Sequence, residues 1–86
     1  MNKALILNYL KNINKDDIIN FSIKQGIYLD NKDFDIIYDY IKNKSNDIID
    51  NPVKIINEIK DKVSNKVYDK IIILYEKYKP FIDKIK

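Results

Sequence analysis

The chain has no cysteine, histidine, arginine, tryptophan or threonine, and only one glycine and two prolines among its 86 residues. Each absence removes a class of chemistry. Without cysteine there is no disulfide, no thiolate nucleophile and no thiolate-bound zinc. Without histidine the usual general base and the commonest metal ligand are missing. Without arginine there is no planar fork for bidentate recognition of phosphate or guanine edges. One glycine cannot build the phosphate-cradling loops of nucleotide-binding proteins. No apolar run nears the ~18–20 residues of a membrane-spanning helix. The longest, Ile71 to Tyr75, is flanked by Lys70 and Glu76. Met1 to Leu10 holds an apolar run but lacks a small-residue cleavage site, so it does not read as a signal peptide, and a cytoplasmic location is the expectation.

What remains is a narrow palette. Isoleucine (19), lysine (16), asparagine (11) and tyrosine (7) supply 53 of the 86 residues. Their codons are AT-rich, which points to an AT-rich bacterial or phage genome and weakens any reading of lysine or asparagine as selected for chemistry. With 45% hydrophobic and 34% charged residues the composition is that of a globular domain rather than a disordered tail. The length suits a single domain over 1–86 with one small core. The net charge of +3 is unevenly spread: residues 1–53 hold 7 lysines against 8 acids, and residues 54–86 hold 9 against 5. The second half can therefore attract a polyanion or an acidic partner. A solvated lysine-rich surface is the plainer explanation.

Apolar spacing is helical almost throughout. A first helix is expected over about 3–13, with Ile6, Leu7, Leu10 and Ile13. Asn14 then reads as an N-cap with Asp17 three residues on, opening a helix over 15–25. Gly26 suits a left-handed C-cap followed by Ile27 in a Schellman turn. Ile27-Tyr28-Leu29 is an extended connector into the core. Asp30, with Asp33, repeats the capping logic before a helix over 31–42 striped by Phe34, Ile37, Tyr38 and Ile41. Residues 43–51 read as a polar link holding at most one turn at Ile48-Ile49. Asp50 or Asn51 caps a helix over 52–63, with Pro52 in its first turn. Ser64 caps a last helix over 65–79. Pro80 breaks or kinks it and leaves a short amphipathic tail over 80–86. The fold class is all-α, a compact orthogonal bundle of four to five short helices, with the wide apolar arc of the last helix at its centre. The triplet Asn-Lys-Asp occurs at 14–16 and 31–33, and shared capping chemistry explains it without a duplication.

Three constellations bear on chemistry. Asp35 and Asp39 share a helical face and could meet a hard cation, but no alternating calcium loop is present, and Asp16, Asp17 and Asp33 are explained by the positive end of a helix dipole. The serines have only lysine as a base, and Ser64 is a cap, so no catalytic residue, cofactor or metal site is expected and an enzyme is disfavoured. On the last helix Lys66, Lys70 and Lys77 lie at spacings of four and seven, with Lys79 beyond, interleaved with Tyr68, Tyr75 and Tyr78. Cations among aromatics can track a nucleic-acid backbone and stack on bases. Asp69 and Glu76 intervene, and tyrosines at this spacing also serve as core.

The segment from Asp17 to Lys42, two helices joined through Gly26, Ile27 and Leu29, resembles the SAP/LEM-type helix–extension–helix motif, which implies binding to DNA or DNA-associated proteins. Across nearly the whole chain, "NKDDIINFSIKQGIYLDNKDFDIIYDYIKNK" followed by "NPVKIINEIKDKVSNKVYDKIIILYEKY" is similar to the YqfT-like small bacterial proteins. That resemblance implies an all-helical bacterial domain of unassigned function and carries over no site residue.

The expectation from the sequence is a non-enzymatic helical protein that binds another macromolecule, most simply a protein, as an adaptor or inhibitor of host or phage origin. The favoured contact face is Tyr68, Ile72 and Tyr75, because tyrosine is enriched at interaction hot spots. The alternative is a nucleic-acid module using Lys66, Lys70, Lys77 and Lys79, and self-association across the apolar arc is a third route. No small-molecule substrate and no membrane partner are expected.

Overall fold

Capping residues set where the helices begin. In the computed structural model, which describes residues 2–85, six α-helices follow one another: α1 Lys3–Asn12, α2 Lys15–Lys24, α3 Asn31–Asn43, α4 Ser45–Asp50, α5 Pro52–Ile59 and α6 Asn65–Ile85. The described residues contain no strand. The all-α expectation holds, with six helices in place of four to five.

At the start of α2, Asn14 Oδ1 accepts the Asp17 N–H at 2.8 Å and Asp17 Oδ2 accepts the Asn14 N–H at 3.2 Å, a closed capping box. The helix ends in a Schellman turn. Gly26 sits at φ +71, its N–H donates to the Ile23 carbonyl, and the Ile27 N–H reaches the Ser22 carbonyl at 2.8 Å. Ile27 is buried and Leu29 packs against the same cluster, while Tyr28 between them is 82% exposed, the alternation of an extended connector.

Three boundaries differ from the sequence reading. Residues 45–50 form a true short helix, α4, which lies against α1, α3 and α5. Its helical state comes from burying Ile49 and Ser45, not from periodicity. Helix α5 stops at Ile59, followed by a turn over 60–62, and Asn51 stands at its N-cap without a side-chain hydrogen bond to the helix. Its amide instead reaches back to Asp47 Oδ1 at 3.3 Å. Pro80 does not end α6, which continues to Ile85. Proline withdraws one helical donor, but Ile85 is buried and Ile82 faces the interior, so packing holds the last turn in place.

Two apolar clusters anchor the bundle. Ile27, Val63 and Val67 form one, joined by Leu29, Ile36, Ile37, Tyr68, Ile71 and Leu74. Tyr40, Ile55 and Ile59 form the other, which shares Ile36 and Ile71 with the first. Polar ties run over the surface: Lys3 pairs with Asp50, and the Lys42 ammonium donates to the Lys11 carbonyl at 2.7 Å. Such exposed pairs contribute little. No described helix is long and apolar enough to cross a membrane.

Candidate functional site

The core is not filled. The most enclosed apolar side chain, Val67, keeps 3% of its surface exposed, and none of the described large side chains falls below 2%. Between the six helices lies an apolar cavity of about 520 Å³. Every helix contributes to its wall: Ile6 and Leu10 from α1, Ile18 from α2, Ile37 from α3, Ile48 from α4, Ile56 from α5 and Leu74 from α6. One face of α6, made by Val67, Ile71, Leu74 and Tyr78, lines it. The wall is hydrocarbon and aromatic ring, with Ser22 its one aliphatic hydroxyl, and that hydroxyl already donates to the Ile19 carbonyl at 2.8 Å.

Protein interiors normally pack like organic crystals. At ~24 cal/mol per Å³, a closed empty void of this volume would cost roughly 12 kcal/mol. That is an upper bound, because this cavity has an open side, yet it matches the whole stability of an ordinary domain, about 5–15 kcal/mol. Water offers poor relief, since each buried molecule needs two to four polar partners. The chamber is suited to taking up apolar matter.

Its open side is marked by lining residues that also reach solvent. Tyr9 of α1 is 61% exposed, Phe21 of α2 46% and Tyr78 of α6 37%. Three aromatic side chains from three helices thus line the chamber while reaching solvent. Lys77 lies over the Tyr78 ring at 5.4 Å, a cation–π contact.

At Tyr40 the wall is closed. The Tyr40 ring lines the cavity, its hydroxyl accepts a bond from the Lys62 ammonium at 2.9 Å, and Lys44 and Lys62 stand 5.1 and 5.2 Å from the ring centroid. The bond to Tyr40 is the main cause that raises the Lys62 pKa above its ordinary value. Lys44 also pairs with Glu58 at 3.3 Å.

A second, smaller pocket of about 420 Å³ sits at the start of α6, between Tyr28, Asp30, Asp33, Ser64, Lys66 and Lys70. Asp33 is 3% exposed, and its Oδ1 accepts the Ser64 N–H at 3.0 Å. A carboxylate from the start of α3 thus meets the positive end of α6.

The residues expected to carry function are dispersed by this geometry. Tyr68, Ile72 and Tyr75 are all half-buried: Tyr68 packs on the Ile27–Val67 cluster and Tyr75 lines the cavity. Lys66, Lys70, Lys77 and Lys79 are all exposed, and among the described residues none forms an ion pair. Lys66 and Lys70 border the pocket that holds Asp30 and Asp33, whereas Lys77 stands apart at Tyr78. Asp39 Oδ1 accepts from the Asn43 amide at 2.6 Å, and no cluster of three acidic residues that could hold a metal occurs among the described residues. Sequence reasoning missed Tyr9 and Phe21. The available signal was that α1 and α2 already have isoleucines and leucines enough for an inward stripe, which leaves their aromatics unassigned. No protein-family model, curated protein or solved structure matches the chain.

Proposed function

We propose that the chain is a non-enzymatic binding protein that holds another macromolecule, most simply a protein, as an adaptor or inhibitor. One observation carries the reading: Tyr9, Phe21 and Tyr78, from three helices, line an apolar chamber and stand exposed to solvent. Exposed aromatic clusters of this kind mark interaction sites, and tyrosine adds a hydroxyl able to bond a partner's backbone. The half-buried face Tyr68, Ile72 and Tyr75 is the second contact surface in this reading, and its Tyr75 also lines the chamber. In this reading the six helices cross as a compact orthogonal bundle that serves as the frame.

The test is affinity capture with wild-type bait and with a Tyr9→Ser/Tyr78→Ser bait of equal helicity, quantified by mass spectrometry. A protein retained at least tenfold more by the wild type supports the reading. Identical profiles sink it. Sedimentation of the pure chain shows whether the partner is a second copy.

A nucleic-acid role for Lys66, Lys70, Lys77 and Lys79 rests on their exposure and lack of ion pairs among the described residues. Fluorescence anisotropy of labelled DNA and RNA addresses it. Binding that survives near ~150 mM salt with a steep salt slope would favour it, since counterion release scales with phosphates contacted.

A further inference from the structure

We propose that the interior cavity is a binding site for a single-chain anionic amphiphile, a long-chain fatty acid or the acyl chain of a lipid, with the hydrocarbon among the helices and the acidic head at Lys77. The inference goes beyond the macromolecular partner and does not depend on it.

Enclosure decides first between a helix and a chain. The chamber is walled by all six helices, so a partner helix ~10 Å across could lie inside only by displacing one of them. An unbranched aliphatic chain needs no such displacement.

The wall decides next against a polar small molecule. Pockets for such ligands place a few free polar groups to fix orientation. Here the Ser22 hydroxyl is committed to Ile19, and the Tyr40 hydroxyl is held by Lys62. The other hydroxyls of the wall belong to Tyr9, Tyr75 and Tyr78, and the rest of the lining is hydrocarbon apart from aromatic rings, so recognition inside is chiefly by apolar contact.

Charge at the mouth sets the head group. Lys77 lies over Tyr78, which itself lines the chamber. Its neighbours three and four residues away along α6 are Ile73, Leu74, Pro80 and Phe81, so no carboxylate shares its side of the helix. Glu76 is adjacent in sequence, a spacing at which side chains do not face one another. Lys77 is thus a cation beside an apolar opening with no ion-pair partner among the described residues.

The experiment is titration calorimetry of the full chain with saturated fatty acids from eight to eighteen carbons, below their micellar concentrations. Affinity should rise about fourfold per added methylene, the factor equivalent to ~0.8 kcal/mol per buried CH₂, and then level off once the chamber is full. Lys77→Gln should weaken the acid at least fivefold and leave the alcohol of equal chain length unchanged. Leu74→Phe, which narrows the chamber, should shift the chain length at which affinity levels off to shorter chains while helical circular dichroism is kept. No heat with any chain length would overturn the proposal, as would affinity independent of length or equal loss of acid and alcohol in Lys77→Gln. Sedimentation with vesicles of phosphatidylcholine and phosphatidylglycerol separates the sources: uptake of free acid without vesicle binding identifies a soluble ligand, and uptake with vesicle binding identifies a membrane lipid. Vesicle binding without uptake of free acid overturns the cavity assignment.

Discussion

Helices α2 and α3 begin alike and end up differently connected. Each opens with a side-chain acceptor at the N-cap and an aspartate three residues later, Asn14 with Asp17 and Asp30 with Asp33. In both, the cap accepts the aspartate's N–H at 2.8 Å. In α2 the aspartate returns the bond to its own cap and stays exposed. In α3 it is buried and bonds Ser64, 31 positions along the chain. The repeated Asn-Lys-Asp triplet is not equivalent in the two places either, since Asn14 is a cap whereas Asn31 is the first helical residue. The same local chemistry is complete in itself at one helix and joins two helices at the other.

The comparison breaks most readily at Asp33. Replacing Asp33 by Ala removes a charge-assisted bond and leaves the Ser64 N–H without its acceptor, an expected loss of ~1.5–3 kcal/mol in urea denaturation. Asp33→Asn keeps an acceptor and should lose less. If both cost no more than an exposed cap residue, the link between α3 and α6 is not as drawn.

Gly26 tests the turn that delivers α3 to α6. A Cβ there would meet nothing within 4 Å, so the cost of Gly26→Ala is conformational alone, about 1–2 kcal/mol for a left-handed residue. Asparagine should recover part of it. Should the strain relax by shifting α3, Gly26→Ala and Asp33→Ala will combine to less than their sum in a double-mutant cycle.

Asp17→Ala sharpens the contrast from the other side. It opens a solvent-exposed capping box and should cost ~0.5–1 kcal/mol by thermal melting, with no change in the exchange of α6 amides.

The smallest effect concerns Lys62, in the turn just before Ser64. Its pKa is raised chiefly by the bond to Tyr40, so its contribution is complete below the ordinary lysine value of 10.5 and fades as pH climbs through the raised value. Stability should therefore be flat in this respect through neutral pH and drop at alkaline pH, less steeply in Lys62→Met.

What the sequence made legible was local. The Asn14 box, the Gly26 turn and Pro52 at the start of α5 each depend on residues within five positions, and each stands as read. Helix α4 was hidden because six residues with one apolar pair show no periodicity. The passage of α6 through Pro80 was hidden because it goes with the burial of Ile85 and the inward placement of Ile82, which local sequence does not show. The cavity was the least legible feature. Periodicity tells which face of a helix turns inward, but not how far apart the inward faces stand.

The hollow interior also shapes how stability responds to temperature. The heat-capacity change of unfolding follows apolar area taken from water, and 86 residues would ordinarily give about 1.0–1.3 kcal/mol/K. A chain whose chamber opens to solvent and which keeps Leu5, Tyr9, Ile23 and Tyr28 exposed hides less of that area, so its heat-capacity change is expected at the low end of this range, with a shallow dome for its stability curve. Occupation of the chamber deepens the dome. The temperature of maximum stability and the steepness of cold destabilisation then become properties of the occupied state and not of the chain alone.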